Sequence, residues 1–255
     1  MSLTQAAYTL DPVAWCRGSL GLEPDQWQAE VLRSTSKRII LNCTRQSGKS
    51  TVTSALALHT AIYRPGSLIL CLSPTLRQSS ELFHNVARFY GIDSTIPSRT
   101  ESALRLELEN GSRIVSLPGK EPSVRGYAAV SLLIVDEAAR VPDDLYYSVR
   151  PMLAVSGGRM IALSTPFGRR GWFFNEWEGG QGWERHQITA QQCPRIRAEF
   201  LEEEKRSMPT AWFNAEYMCQ FTEAIDSVFS YDQVQAAISS EVKPLDFGFG
   251  SEACL

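Results

Sequence analysis

Apolar residues fall along this chain in short unbroken runs, separated by longer segments of helical period. Arg38–Asn42, Ser67–Leu72, Ser131–Val135 and Arg159–Ser164 are strand-length stretches of Ile, Leu, Val, Met, Ala and Cys with no polar residue inside them. A strand that is apolar at successive positions is buried on both faces, the condition of a parallel sheet covered by helices. Between the runs, Ser50–Tyr63 and Leu76–Tyr90 predict helices, stopped by Pro65–Gly66 and by Gly91. Upstream, residues 11–34 hold two helical patterns parted by the turn Gly18–Pro24. The second opens on Asp25 as an acidic cap and turns Trp27, Val31 and Leu32 inward. Leu104–Leu108 and Arg113–Ser116 predict a hairpin closed at Asn110–Gly111.

Alternating strands and helices of this kind predict an α/β fold with a mostly parallel central sheet flanked by helices. Beyond about residue 195 the pattern changes. Ile196–Met208 and Thr210–Gln220 predict two charged or amphipathic helices, and 225–255 keeps one short helix, Tyr231–Ser239, in a weakly patterned tail. The expected division is therefore a core at 1–195, a small helical lid at 196–224, and a linker or tail at 225–255. There are no internal repeats and no low-complexity segment.

Composition narrows the function classes. With 255 residues, 44% hydrophobic and 21% charged, the chain has the makeup of an ordinary soluble globular protein. Its net charge of −3 carries no basic excess, so contact with nucleic acid would have to come from a local patch or from a ring of subunits. The six cysteines, Cys16, Cys43, Cys71, Cys193, Cys219 and Cys254, contain no CxxC pair, and two sit within apolar runs. That usage fits a reduced, cytosolic protein rather than a disulfide framework or a metal knuckle. No secretory signal and no apolar stretch near 20 residues is present, so no membrane partner is expected.

The chemistry concentrates at the ends of the apolar runs. Residues 43–50, Cys-Thr-Arg-Gln-Ser-Gly-Lys-Ser, stand between a strand and a helix, as a phosphate-binding loop requires. They depart from the usual G-x-x-x-x-G-K-[ST] only at Cys43. Gly48 lets the backbone approach phosphates, and successive N–H groups entering the helix form an anion nest. Lys49 would reach the β- and γ-phosphates of ATP, the Ser50 hydroxyl would ligate Mg²⁺, and Arg45 adds a second cation. Thr44, Arg45, Gln46, Ser47, Gly48, Lys49, Ser50 and Thr51 are thus the candidate nucleotide-binding residues.

Leu132–Val135 delivers two carboxylates, Asp136 and Glu137, to the carboxyl edge where open α/β sheets bind ligands. Asp136 would complete the Mg²⁺ shell, and Glu137 would orient and deprotonate the attacking water. Ser164 and Thr165 end another buried run, where hydroxyls could sense the γ-phosphate and couple hydrolysis to movement. Arg125, on a Ser-Val-Arg-Gly-Tyr loop, could act in trans as an arginine finger, with Arg140, Arg169 and Arg170 as rivals for that role or for DNA phosphates. Gln28, beside Trp27, offers both a donor and an acceptor to an adenine edge.

Taken together, Pro24-Asp-Gln-Trp-Gln28, Thr44-Arg-Gln-Ser-Gly-Lys-Ser50, Ser123-Val-Arg-Gly126, Ile134-Val-Asp-Glu-Ala138, Ser164-Thr-Pro166 with Gly171, and Glu216-Tyr217 with Phe221 resemble the N-terminal ATPase domain of the large terminase subunit of tailed bacteriophages. The resemblance runs from about residue 22 to 230. It implies a P-loop NTPase of the RecA-like, ASCE type, and an ATP- and Mg²⁺-dependent motor that threads double-stranded DNA into a procapsid. It further implies a ring, a pentamer when assembled on the portal protein, together with a small terminase subunit. The location it implies is the host cytoplasm and, transiently, the procapsid portal rather than the finished virion.

In that frame Lys49, Ser50, Asp136 and Glu137 keep the roles given above, Arg125 matches the trans arginine, Ser164–Thr165 match the coupling motif, and residues 196–221 match the lid. The family also carries a C-terminal nuclease. The acidic residues of the tail here (Asp226, Asp232, Glu241, Asp246 and Glu252) are too few and scattered for one, so no DNA cleavage is expected from this chain and the tail reads as a linker toward an absent domain. Two alternatives are a helicase-like or recombination ATPase, which would want a second RecA-like domain, and a nucleotide-binding assembly module with little turnover.

Overall fold

The four apolar runs form adjacent strands. In the computed structural model, which describes residues 2–119, 124, 126–222, 233 and 236–238, they are β1 (Arg38–Cys43), β2 (Leu68–Ser73), β6 (Leu132–Asp136) and β7 (Arg159–Ser164). Three strands complete the sequence between β2 and β6: β3 (Ser98–Ser102), β4 (Arg105–Leu108) and β5 (Arg113–Pro118). The last strand is β8 (Glu184–Ile188). The sheet order is β3-β4-β5-β2-β6-β7-β1-β8. All pairings from β5 to β8 are parallel, and β4 joins β5 and β3 antiparallel.

Each central strand divides its side chains between two apolar layers. Ile39 and Leu41 of β1, Leu132 and Ile134 of β6, and Ile161 and Leu163 of β7 face one side. Ile40, Leu133, Val135, Met160 and Ala162 face the other. This two-sided burial is why the runs lack polar alternation.

The first layer is covered by α2 (Pro12–Gly18), α3 (Gln26–Arg33), α4 (Lys49–Tyr63) and α5 (Leu76–Ile92). Nearly every side chain of α4 is buried, so the helix is built from small residues (Ala, Ser, Thr) with Leu and Ile filling the gaps. The second layer is covered by α6 (Asp143–Val149) and α7 (Gly171–Glu178). Tyr146 of α6 stacks on Trp172 of α7 with centroids 4.0 Å apart and planes 4° from parallel. The Trp172 indole N–H donates to the Val141 carbonyl at 3.0 Å. Such a stack contributes about 1 kcal/mol beyond the area it buries.

Several expected elements take the expected places. The Asn110–Gly111 turn closes the β4–β5 hairpin with Gly111 at φ 83°, and Asn110 Nδ2 ties the turn to the end of α4 through the Ala61 and Ile62 carbonyls. The two helices expected after residue 196 are α8 (Ala198–Ser207) and α9 (Thr210–Glu216), somewhat shorter than their patterns. Gly91 does not stop α5, which continues to Ile92 and ends where the Asp93 N–H donates to Phe89 O.

The chain also has an N-terminal helix, α1 (Leu3–Leu10), closed by a capping box at Ser2, together with β3, β8, α6 and α7, none of which its pattern announced. Residues 1–222 form one compact unit, and 223–255 are grouped apart from it. The expected helix Tyr231–Ser239 lies outside the described residues except at 233 and 236–238.

Candidate functional site at the carboxyl edge of the sheet

The loop that joins β1 to α4 is shaped by two left-handed residues, Gln46 at φ 57° and Gly48 at φ 86°. Gly48 is the residue preceding the first turn of α4, so its conformation aims the helix N-terminus and its free N–H groups into the loop. A Cβ on Gly48 would sit 2.6 Å from Gln28 Nε2 and push that amide off the loop, and the left-handed backbone is strained for any side chain. Cys43, by contrast, is the last residue of β1, paired with Ile188, fully buried and not at positive φ. Its position asks for a strand residue, which is why glycine is dispensable there.

The loop is braced from outside. Gln28 has both ends of its amide engaged within the protein: Oε1 accepts from the Asp25 N–H at 2.9 Å, and Nε2 donates to the Ser47 and Gly48 carbonyls at 3.4 Å each. Arg195 donates to the Ser47 carbonyl at 2.7 Å and forms a two-pronged pair with Asp25 at 3.1 and 2.7 Å. On the opposite flank, Thr44 Oγ1 donates to the Glu216 carbonyl at 2.8 Å, and Arg45 pairs with the Glu216 carboxylate at 2.6 Å. Through these contacts α9 and the segment before α8 close on the loop. Thr51 lies half-buried in the first turn of α4.

The carboxylates arrive from β6. Its parallel register sets Asp136 beside Leu163, and the β1–β7 register sets Asn42 beside Ser164. The strand order therefore puts the tips of β6, β7 and β1 side by side. Ser50 Oγ donates to Asp136 Oδ2 at 3.4 Å, and Glu137 N–H donates to Asp136 Oδ1 at 3.0 Å. Lys49 Nζ stands 3.9 Å from Glu137 Oε1. Glu137 itself leaves the strand in the left-handed conformation, φ 49° and ψ 42°, which turns it out of line with Asp136.

Burial, then the neighbouring Glu137 carboxylate, pushes the Asp136 carboxyl up to about 6, against the opposing pull of Lys49 and two hydrogen bonds. Ser50 Oγ and Asp136 are hard oxygen donors brought together at the end of the loop, the kind of set that suits Mg²⁺. At this edge Ser164 Oγ is buried with no hydrogen-bond partner among the described residues, and the buried Ser47 Oγ has at most the Cys43 thiol beside it. An orphaned donor of this sort fits an edge built to receive an anionic oxygen-rich ligand.

The structure thus brings together Gln28, Thr44–Thr51, Asp136, Glu137, Ser164 and Thr165. Arg125 lies outside the described residues. Of its three rivals, Arg140 is paired with Glu137 of its own site at 3.0 Å. Arg170 lies over the ring of Phe167 at 5.5 Å, and Arg169 is half-buried in the same loop. Arg195 and Phe167 escaped the sequence reading. Arg195 sits in an irregular segment with no motif around it, and Phe167 directly follows the Ser164-Thr165-Pro166 motif without belonging to it; only the tertiary structure sets them at the loop and at Arg140.

Comparison with known proteins identifies the family and the fold. The family model "Terminase large subunit, T4likevirus-type, N-terminal" matches residues 40–236. The large terminase subunit of Thermus phage G20c is 28% identical over 250 residues, covering 83% of this chain and 51% of the relative. This chain therefore spans about half the length of the curated relatives it matches. The large terminase ATPase domain of Thermus phage P74-26 superimposes with a TM-score of 0.72 at 25% identity, over 84% of this chain and 100% of that domain. The large terminase of another thermophilic bacteriophage, solved in complex with ADP, shares the fold with a TM-score of 0.61 at 14% identity, over 87% of this chain and 54% of that one. The sheet is that of the P-loop ASCE class, and the chain belongs to the family of terminase large subunits, of which it carries the N-terminal domain.

Proposed function

We propose that this chain is the ATP-hydrolysing motor domain of a DNA-packaging terminase. The observation that carries the reading is the meeting of three strand tips: the loop residues Lys49 and Ser50, the carboxylates Asp136 and Glu137, and the buried Ser164 hydroxyl lie at one edge. The nucleotide-bound relative with the same fold and the ATPase-domain relative of Thermus phage P74-26 support it.

In this reading the loop N–H groups and Lys49 hold the β- and γ-phosphates. Ser50 and Asp136 would hold Mg²⁺, which supplies charge neutralisation on the phosphate oxygens. Lys49 would pair with the γ-phosphate, leaving Glu137 to orient the attacking water and accept its proton. Arg45, held on the lid side of the loop by Glu216, is the second cation within reach of the phosphates. Gln28 serves first as a brace of the loop, and any contact with an adenine edge requires its amide to leave the Ser47 and Gly48 carbonyls. Ser164 and Thr165 couple phosphate release to motion. Arg125 acts in trans on a neighbouring subunit of a ring. Double-stranded DNA, the portal protein and a small terminase subunit are the proposed partners.

Purified chain is expected to hydrolyse ATP with Mg²⁺. Glu137→Ala should remove turnover while retaining nucleotide binding. Wild-type protein with no hydrolysis at any concentration, with or without DNA, would reduce the reading to a binding module. For Arg125, mixed Arg125→Ala and Glu137→Ala subunits should recover part of the activity, and no recovery at any ratio rejects the trans role.

A further inference from the structure

Glu137 has a cationic neighbour that the loop does not supply. Lys49 Nζ lies 3.9 Å from Oε1, but Arg140 Nη1 is closer, 3.0 Å from Oε2. Arg140 ends the short turn Ala138–Arg140, which starts from the left-handed backbone of Glu137 and closes with the Arg140 N–H donating to the Glu137 carbonyl at 2.9 Å. The pair is sheltered, with the two side chains 28% and 22% exposed. The Arg140 guanidinium also lies over the ring of Phe167, 4.7 Å from its centroid, and Arg170 approaches that ring at 5.5 Å. Phe167 directly follows Ser164-Thr165-Pro166 at the tip of β7, the strand between β6 and β1.

We propose that Arg140 is a positioning residue for Glu137, and that Phe167 holds Arg140 in place and so joins the tip of β7 to that carboxylate. This rests on the reading of Glu137 as the group that orients the attacking water. A glutamate has three side-chain torsions, and here it stands beyond the last strand residue, so the sheet does not fix its carboxylate. An arginine on Oε2 removes that freedom and leaves Oε1 turned toward Lys49. Once Lys49 is engaged by phosphates its hold on Glu137 weakens, and Arg140 is the remaining described contact that keeps the carboxylate in register. The face of Phe167 limits where the guanidinium can lie, since a cation is held over a ring by the ring's quadrupole.

The experiment compares steady-state ATP turnover with the equilibrium affinity for a fluorescent nucleotide, in the full chain, for five variants. Arg140→Met is expected to lower kcat at least tenfold while KM and nucleotide affinity stay within twofold. Arg140→Lys should recover part of the loss. Phe167→Leu should lower kcat several-fold, and Phe167→Tyr should restore it, because a phenol keeps the aromatic face. Glu137→Gln anchors the comparison as the inactive variant. Wild-type or faster turnover in Arg140→Met beside an inactive Glu137→Gln overturns the positioning role and leaves the reading of Glu137 intact. A parallel loss of turnover and nucleotide affinity in both Arg140 variants also overturns it, in favour of a purely structural part. Wild-type turnover in Glu137→Gln defeats the underlying reading instead.

Discussion

Asp136 is buried at the end of β6, and its carboxyl is pushed up to about 6, first by burial and then by Glu137. Asp136→Asn removes that ionisation while keeping the shape and both hydrogen-bond partners, the Glu137 N–H and Ser50 Oγ. The sign follows from the direction of the shift. Below the unfolded value of 3.8 the group is neutral in both states and costs nothing. As the pH rises, the unfolded chain releases the proton before the folded one does, so the stability of the wild type falls until the pH passes the folded value near 6.

The full cost is about 3 kcal/mol, from roughly two pKa units at 1.36 kcal/mol each. It amounts to a few tenths near pH 4, roughly half at pH 5, and about the whole at pH 8. In a chain of this size that corresponds to roughly 6–12 °C in Tm. Thermal unfolding in EDTA is therefore expected to show Asp136→Asn gaining on the wild type by about that much between pH 4 and pH 8. Adding Mg²⁺ with nucleotide should narrow the gap by stabilising the wild type selectively. The reasoning is refuted if the Tm difference between variant and wild type does not change with pH. A gain of this size, set beside lost turnover, would mean that the strand tip gives up stability to hold a charge that its metal and substrate later neutralise.

Three further outcomes bear on the loop and the core. Gly48→Ala should cost about 1–3 kcal/mol through its left-handed backbone and weaken nucleotide binding at least tenfold. Gly66→Ala, also left-handed but with nothing within 4 Å of a Cβ, should cost stability alone; calorimetry and nucleotide titration separate the two. Cys43→Gly should lower stability by about 2 kcal/mol, through an emptied core position and a looser strand, and leave nucleotide affinity within twofold; a rise in affinity would contradict the strand role given to Cys43. Burial pushes Cys16, Cys43 and Cys71 up to about 12, and raises Cys193 and Cys219 as well. A Cys254→Ser variant should therefore resist a thiol reagent when folded and release five equivalents in denaturant.

The parts of the fold legible in the sequence are those whose residues carry their own context. β1, β2, β6 and β7 are apolar on both faces because helices cover both, so their burial is written in consecutive residues. β8 is not so written. Glu-Arg-His-Gln-Ile pairs along one side of β1 at the sheet edge, buries only Ile188, and uses its polar residues in side-chain hydrogen bonds, Glu184 with the neighbouring His186 and with Ser34, 150 positions away. β3 is an exposed polar edge for the same reason, and is recognisable only once β4 is there to pair with it. α6 and α7 are short, and what holds them is the Tyr146–Trp172 stack, a contact between residues 26 positions apart.

The site divides along the same line. Lys49, Ser50, Asp136 and Glu137 could be named because each belongs to a short motif at the end of a buried strand: Asp136 closes β6, Glu137 follows it, and Lys49–Ser50 open α4 after the loop from β1, so local sequence suffices. The residues that hold them come from far along the chain: Gln28 reaches a loop 19 positions away, Arg195 reaches Ser47 across 148, and Glu216 reaches Arg45 across 171. None of these spacings is set by a turn or a helix; each depends on which elements the sheet order makes neighbours. Glu137 is the instructive middle case. Its partner Arg140 is only three residues on, close enough to be noticed, yet its spacing alone left it a rival for the trans finger. What separates the two roles is the left-handed backbone at Glu137, which folds Arg140 back onto its own carboxylate. The left-handed backbone at Glu137 thus accompanies an arginine that faces its own site.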